Sequence, residues 1–297
     1  MKILQCVPNF SEGRDPSFLS ELELVLKQFP VKVLDLSMDE DHNRADSTFL
    51  GEPDAVEACA LAVTSRAVEL IDMRQHEGSH PRMGAVDVVP FVPIRGLTMA
   101  ETVEIARRFG KAFAEQHRIP VFYYEEACTS EARRNLVDIR RGEYEGMTEK
   151  LHDPTWKVDA GPQALNERSG VTAVGARMPL ISFNVNLQTD DLEVAKNIAN
   201  AVRYSGGGLR YVKAMGLSLE GKGVVQVSMN LVDYRQTPIH RAVELIRAEA
   251  ARYGVSLKEC ELVGMVPIEA LAEVVSYYLQ VPGFNAKQVI EYHLLPD

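Results

Sequence analysis

The chain is poor in the features that mark whole classes of protein. Its 297 residues include four cysteines and one tryptophan. Cys6, Cys59, Cys128 and Cys260 are widely spaced with no Cys-x-x-Cys pair, and three of them fall in segments that read as strand or helix interior. That is the pattern of free thiols in a reducing cytosol, not of a disulfide framework. No apolar run approaches the roughly 18 residues that a membrane helix needs. Met1 to Pro8 carries one lysine and an apolar stretch broken by Gln5 and Pro8, so it lacks a secretory signal pattern and reads as a first strand. The expectation is a soluble cytoplasmic protein without a membrane partner. Basic excess is also missing: 32 Lys and Arg stand against 42 Asp and Glu, a net charge of -10. Binding to nucleic acid needs a basic stripe, so no nucleic-acid partner is expected. Between Ser130 and Lys150, for example, five basic residues face five acidic ones. An anionic ligand would have to be met by local charges.

What is present is enough apolar residue, 46%, to bury a large core, and a length that suits about two domains. A strand over 2–7 is followed by a helix from Asp15-Pro16, with Asp15 as cap and Pro16 as first helical residue. Strands at 31–36 and 47–50 precede a helix from Pro53 to about Met73, whose Val56, Cys59, Ala60, Val63, Ala67 and Leu70 share one face. A β-rich run over 86–92, a helix opened by the Thr98 and Glu101 capping-box pattern, and a strand over 121–124 complete this half. The second half reads as strand 180–187, helix 190–203, strands near 211–218 and 223–231, helix 238–253, strand 255–263 and helix 267–279. This is the β-α-β-β-α-β plan of ferredoxin-like folds. The fold class is therefore α/β (α+β), two α/β sandwiches in tandem, each an open sheet with helices on one face. Gly142 to Gly170 shows little periodicity, and a long irregular segment in a compact protein is often functional.

Two strands of the second half alternate regularly. Ile181, Phe183, Val185 and Leu187 oppose Ser182, Asn184 and Asn186, and Val225, Val227, Met229 and Leu231 oppose Gln226, Ser228 and Asn230. The polar face meets either bulk water or a ligand-lined cleft; amides and hydroxyls in place of Lys and Glu favour the cleft. Three polar motifs need weighing. His76-Glu77-Gly78-Ser79-His80 matches the H-E-x-x-H zinc signature, but Gly78 interrupts the helix it requires and Pro81 biases His80 away from helical geometry, so no metal is expected. Asp39-Glu40-Asp41-His42-Asn43-Arg44 is acidic but lacks EF-hand spacing, leaving a solvated turn as its default. Ser205-Gly206-Gly207-Gly208 follows a helix and lacks the P-loop lysine, and reads as a connector. Densest in chemistry is Asp72 to Arg82, where two histidines, two arginines and two acids sit among Gly and Pro. A histidine can accept and return a proton near neutrality, and the proline after His80 makes its placement reproducible, so His80 outranks His76.

Several long and chemically unusual strings then resemble one family. Cys6-Val7-Pro8-Asn9-Phe10-Ser11-Glu12-Gly13, Asp72-Met73, His80-Pro81-Arg82-Met83-Gly84-Ala85 with Asp87 and Pro90-Phe91, Gly142-Glu143-Tyr144-Glu145, Gly175-Ala176-Arg177 and Phe183-Asn184-Val185-Asn186-Leu187 are similar to the glutamate formimidoyltransferase family, in matching order from Lys2 to about Leu295. The resemblance implies two ferredoxin-like subdomains, 1–178 and 179–297, with a ligand groove between them. It implies His80 as catalytic acid/base and a folate-contacting loop over Gly161, Pro162, Gln163, Ala164, Leu165, Asn166, Glu167, Arg168, Ser169 and Gly170. It departs from vertebrate relatives in that loop, where Asn166 to Ser169 replaces an apolar and aromatic stretch. Tetrahydrofolate as co-substrate, glutamate as substrate, a homodimer and a separate cyclodeaminase protein are implied in the same way, with no cyclodeaminase segment before Asp297.

The implied reaction sets further expectations. An amine attacks an amidine carbon and the other nitrogen leaves, so a protonated formimino group calls for a carboxylate, for which Asp39 is the candidate. Substrate carboxylates call for bidentate arginines, for which Arg44, Arg82 and Arg177 are candidates. A 5-formyltetrahydrofolate-using enzyme and a non-catalytic folate-binding module on the same fold are the alternatives.

Overall fold

The computed structural model describes residues 1–40, 42–78, 81–219 and 223–294. The chain forms two compact units, Met1–Arg177 and Met178–Asp297. In the first, β1 (Ile3–Cys6) and β2 (Asn9–Phe10) are one strand broken at Val7-Pro8, where proline removes a ladder donor. Then come α1 (Pro16–Leu26), β3 (Lys32–Asp39), β4 (Arg44–Gly51), α2 (Pro53–Leu70), β5 (Val86–Arg95), α3 (Met99–His117) and β6 (Val121–Glu125). Asp15 caps α1 by accepting from the Ser17 N–H, and Thr98 and Glu101 close a reciprocal capping box on α3, as their sequence patterns require. The broken first strand lies between β4 and β5, with β3 beyond β4, and all these pairings are antiparallel. This is the ferredoxin-like strand order, with the sheet class expected from the sequence.

Three elements escape the periodic reading: α4 (Leu136–Arg140), α5 (Glu143–His152) and β7 (Thr172–Ala176). Only Met147 and Leu151 of α5 are buried, and Gly142 before it makes no side-chain cap, so a charged ten-residue helix leaves a weak imprint. All five residues of β7 are buried, because it is a central strand pairing parallel with β5 on one side and β6 on the other. Such strands lose the alternation that marks half-buried ones. Val121 and Tyr123 of β6 face the main core of Phe10, Phe49, Phe91, Phe109 and Phe113. Phe122 and Tyr124 face a second cluster with Met83, Ile139, Met147, Leu151 and Val171. The expectation of helices on one face is thus corrected here: the parallel extension of the first sheet is covered on both sides. A second correction concerns α2, which ends at Leu70, not near Met73. Ile71 is extended and Asp72 caps a separate 3-10 turn over Met73–Gln75 by accepting from the Arg74 N–H.

The second unit runs β8 (Ile181–Leu187), α6 (Leu192–Val202), β9 (Val212–Leu219), β10 (Val224–Leu231), α7 (Ile239–Arg252), β11 (Leu257–Val263) and α8 (Ile268–Tyr278). Its antiparallel order is β11-β8-β10-β9, again ferredoxin-like. The two alternating strands pair in register, Asn184 opposite Ser228 and Asn186 opposite Gln226. Their apolar sides enter the core with α6 and α7. On the polar side Asn184, Asn186 and Gln226 are 8%, 7% and 5% exposed, so these amides are not bathed in bulk water. Gln226 donates to Asn186 Oδ1 at 2.9 Å, and the two asparagines donate to Glu261 and Glu259 of the edge strand. In the glycine run, the Gly207 and Gly208 N–H groups bond the carbonyls of Tyr204 and Arg203, in keeping with a connector.

Gly170 holds a φ of +73°, and a Cβ there would sit 2.2 Å from the Met83 carbonyl oxygen and 2.6 Å from Gly84 Cα. Backbone cannot yield as a side chain can. Gly170→Ala should therefore lose roughly 2 kcal/mol or more of stability, lowering the melting temperature by about 4 °C or more in a thermal scan.

Candidate active site

The histidine segment is anchored from several directions. Upstream, the Met73 N–H bonds the Arg168 carbonyl at 2.8 Å. Downstream, the Tyr144 N–H bonds Arg82 O at 2.8 Å, Val171 N–H bonds Met83 O, and Ala85 N–H bonds Ser169 O, both at 2.9 Å. The Ser11 hydroxyl donates to Gly84 O at 2.8 Å. His80 itself, with Ser79, lies outside the described residues. The described chain on either side of it is fixed by hydrogen bonds to α5, to Ser11 and Val171, and to the 161–170 loop.

That loop runs alongside the histidine segment. Gly84 and Gly170 bridge as an isolated antiparallel pair, and the Tyr144 hydroxyl donates to Glu167 O. Gln163 braces the loop from within, accepting from Val158 N–H at 2.9 Å and donating to Leu151 O at 2.9 Å. Asn166 Oδ1 accepts from Ser169 N–H, and Arg168 donates to Glu69 O at the end of α2. Within this loop, Asn166 is thus tied to the loop's own backbone and Arg168 to the end of α2.

His76 has a fixed role. Arg82 Nε donates to its Nδ1 at 3.3 Å, which places the ring proton on Nε2, facing the Asn43 carbonyl at 3.0 Å. Both nitrogens are occupied, and burial lowers the pKa of the ring below its ordinary value. His76 is consequently a neutral structural bridge with no lone pair for a metal, and it lies beyond the 3-10 turn, not on a helix. Arg82 is equally committed. Its remaining four N–H groups go to Glu143, to both oxygens of Glu145 and to the His76 carbonyl. A role for Arg82 toward substrate carboxylates would require giving up one of these contacts.

The acidic run after β3 is a hairpin turn, and Asp39 and Arg44 are cross-strand partners in it; Asp41 lies outside the described residues. Asn43, at φ 49° and 7% exposed, hooks this turn to its surroundings. Its Oδ1 accepts from Gly13 N–H and its Nδ2 donates to Glu77 O, both at 2.8 Å. His42 Nδ1 stands 2.7 Å from Asp39 Oδ2. Ser37, Met38, Asp39, His42, Arg44 and Asp46 line a cavity of about 400 Å³. Burial, reinforced by Asp35, raises the Asp46 carboxyl above its ordinary value.

Beneath Arg44 lies Asp87, which is fully buried. Its Oδ1 accepts from the Met83 N–H at 2.9 Å, and its Oδ2 accepts from Arg44 Nη1 at 3.0 Å and from Arg140 Nη2. Arg44 also forks onto Asn9 Oδ1, at 3.0 and 2.7 Å. Burial alone would push the Asp87 carboxyl up; the charges of Arg140 and Arg44 outweigh it and hold the group below 3.8. Arg177, at the end of β7, bonds Phe91 O through its N–H at 3.1 Å and acts on the phenol of Tyr124, which burial pushes up to about 12.

The first unit thus brings together the histidine segment, the 161–170 loop, Asp39, Arg44 and Arg82. The signature described as "Formiminotransferase domain, N-terminal subdomain" matches residues 3–177, and "Formiminotransferase domain" matches residues 182–292. The chain belongs to the formiminotransferase family. It is 45% identical over 296 residues to the glutamate formimidoyltransferase of Streptococcus pyogenes serotype M1, covering 99% of each chain. To that of Thermoplasma acidophilum it is 44% identical, covering 98% of this chain and 97% of the other. The formimidoyltransferase-cyclodeaminase of Rattus norvegicus is 40% identical over 93% of this chain, which spans about half, 52%, of that relative.

Asp87 and Arg140 were not singled out as site residues from the sequence. An acid inside the apolar run Val86-Asp87-Val88-Val89 is itself a signal, since a buried charge demands a partner. Nothing in the sequence points to Arg140, which reaches Asp87 across 53 positions.

Asp87→Asn should destabilise the first unit by about 3–5 kcal/mol, because two guanidiniums are left without their buried counter-charge. The folded pKa is depressed, so the contribution of Asp87 is complete above 3.8 and is lost as pH falls from there toward the folded value. Denaturant titrations at pH 7 and at pH 3 should show a wide gap between wild type and variant that narrows in acid.

Proposed function

We propose that this protein transfers a formimino group between 5-formimidoyltetrahydrofolate and L-glutamate, a step of histidine degradation that feeds one-carbon metabolism. The observation that carries this reading is the match of both family signatures and of two glutamate formimidoyltransferases along nearly the whole chain. Tetrahydrofolate is the co-substrate, and the reaction needs no metal. The protein works in the cytoplasm as a homodimer, with ammonia release carried by a separate cyclodeaminase.

In this reading the amine nitrogen attacks the amidine carbon, a tetrahedral centre forms, and the carbon–nitrogen bond to N5 of the folate breaks. His80, neutral at the start, takes the proton from the attacking amine and returns it to departing N5. The anchored backbone around the histidine segment supports this role, because a general base must be held within hydrogen-bond reach of its proton. The 161–170 loop, bonded to that same segment, holds the folate. Asp39 holds the cationic formimino group at the cavity, and Arg44 beside it takes a substrate carboxylate. Arg177 is kept as a second carboxylate-binding candidate.

His80→Ala should lower kcat by about 10²–10⁴ while the circular dichroism spectrum and melting temperature stay unchanged. Retention of most of the rate would remove the acid/base assignment. Assayed side by side, the formimino donor should turn over and 5-formyltetrahydrofolate should not; faster formyl transfer would replace the donor named here.

A further inference from the structure

We propose that Lys150 is a positioning residue for the transfer: it pins α4 to α5, and the closed pair of helices holds the chain that follows His80. This rests on the transferase reading, which supplies the reaction that the placement serves.

The two helices grip neighbouring residues. From α4, Arg140 bonds Asp87 Oδ2, and against the burial of Asp87 its charge is the larger of the two that stabilise the carboxylate. Asp87 Oδ1 in turn accepts from the Met83 N–H at 2.9 Å. From α5, Glu143 and Glu145 take N–H groups of Arg82, and the Tyr144 N–H bonds Arg82 O at 2.8 Å. Arg82 and Met83 lie two and three positions after His80 in the sequence. Each helix holds one of them, so the hold on this stretch of chain depends on the helices keeping their places relative to each other.

One ammonium closes the pair. Lys150, in the last turn of α5, donates from Nζ to the carbonyls of Asp138, Ile139 and Arg141 at 3.0, 2.6 and 2.6 Å. Among the described residues no backbone N–H reaches these three carbonyls, the open end of a five-residue helix. Lysine has three donors to give, and here all three are given. Ile139 also packs with Met83, Met147 and Leu151, but apolar contact is non-directional and does not aim the residue beside it. The bonds from Lys150 fall on both sides of Arg140 in the chain and fix the backbone from which its side chain reaches Asp87. Lys150 is confined in its turn. It is half-buried, with Nζ 4.3 Å from the centre of the Trp156 ring. Gln163 of the 161–170 loop donates to the Trp156 carbonyl at 3.1 Å, so the pin sits where α4, α5 and that loop meet.

The test compares Lys150→Met and Lys150→Arg in the full chain at pH 7. Burial lowers the Lys150 pKa to about 8, so the wild-type ammonium is still charged there. Methionine keeps an apolar stem over Trp156 and removes every donor, whereas arginine keeps both charge and donors. For Lys150→Met, kcat should fall about 10- to 100-fold, the loss that a small misplacement of reacting groups brings, with KM for both substrates changed less than about threefold. Lys150→Arg should recover most of the rate. Hydrogen exchange at the Met83 amide should be faster in Lys150→Met by about tenfold or more, while the amides of α3 keep their wild-type protection. An unchanged kcat, an equal loss in both variants, a rise in KM with kcat kept, or wild-type exchange at Met83 overturns the proposal. Should Lys150→Met fail to fold, Lys150→Gln is read by the same criteria. If wild type shows no turnover with the formimino donor and L-glutamate, the transferase reading fails. Faster exchange at Met83 in Lys150→Met then still upholds the pin, and unchanged exchange overturns it.

Discussion

A single carboxylate with no access to water organises the first unit. Asp87 enters the sheet inside an apolar strand, and a charge there is tolerable only with partners of good geometry. Its partners come from β4, from α4 and from the backbone just after His80. Three segments that are distant in sequence are therefore fixed against one another by two oxygen atoms. Displacement of any of them would leave a buried charge poorly paired, which is costly.

Around this centre several polar groups are fully committed within the protein. His76, Arg82 and Asn43 are committed: each uses both ends of its side chain to bind loop to loop. They make the histidine segment and the β3–β4 turn a single body. The close approach of Gly84 and Gly170 extends that body to the 161–170 loop, since the backbones meet where no Cβ would fit. Beside this body, Asp39, His42, Arg44 and Asp46 line the cavity.

Much of the fold was legible in the sequence. The second unit followed its periodicity element by element, because an antiparallel sheet with helices on one face leaves alternation in its strands and a 3.6-residue stripe in its helices. The caps at Asp15 and Thr98 were equally local. The parallel extension of the first sheet was not legible: β7 is buried on both faces and shows no alternation, and α4 and α5 bury too few residues to make a stripe. At the candidate site, the density of histidine and arginine between Asp72 and Arg82 marks a segment, but not which of its members are bridges. Arginine suits carboxylate binding, which makes Arg82 a candidate in the sequence; only its neighbours Glu143 and Glu145, some sixty positions away, show that its donors are taken.

The sequence by itself determined the class of fold, the family, and the segment where the chemistry is sought, since these depend on residue order, spacing and local backbone preference. The tertiary structure alone decided which charges meet. Coulomb energy and desolvation depend on distance and burial, and neither can be read from a string in which Arg44, Asp87 and Arg140 are simply three residues far apart.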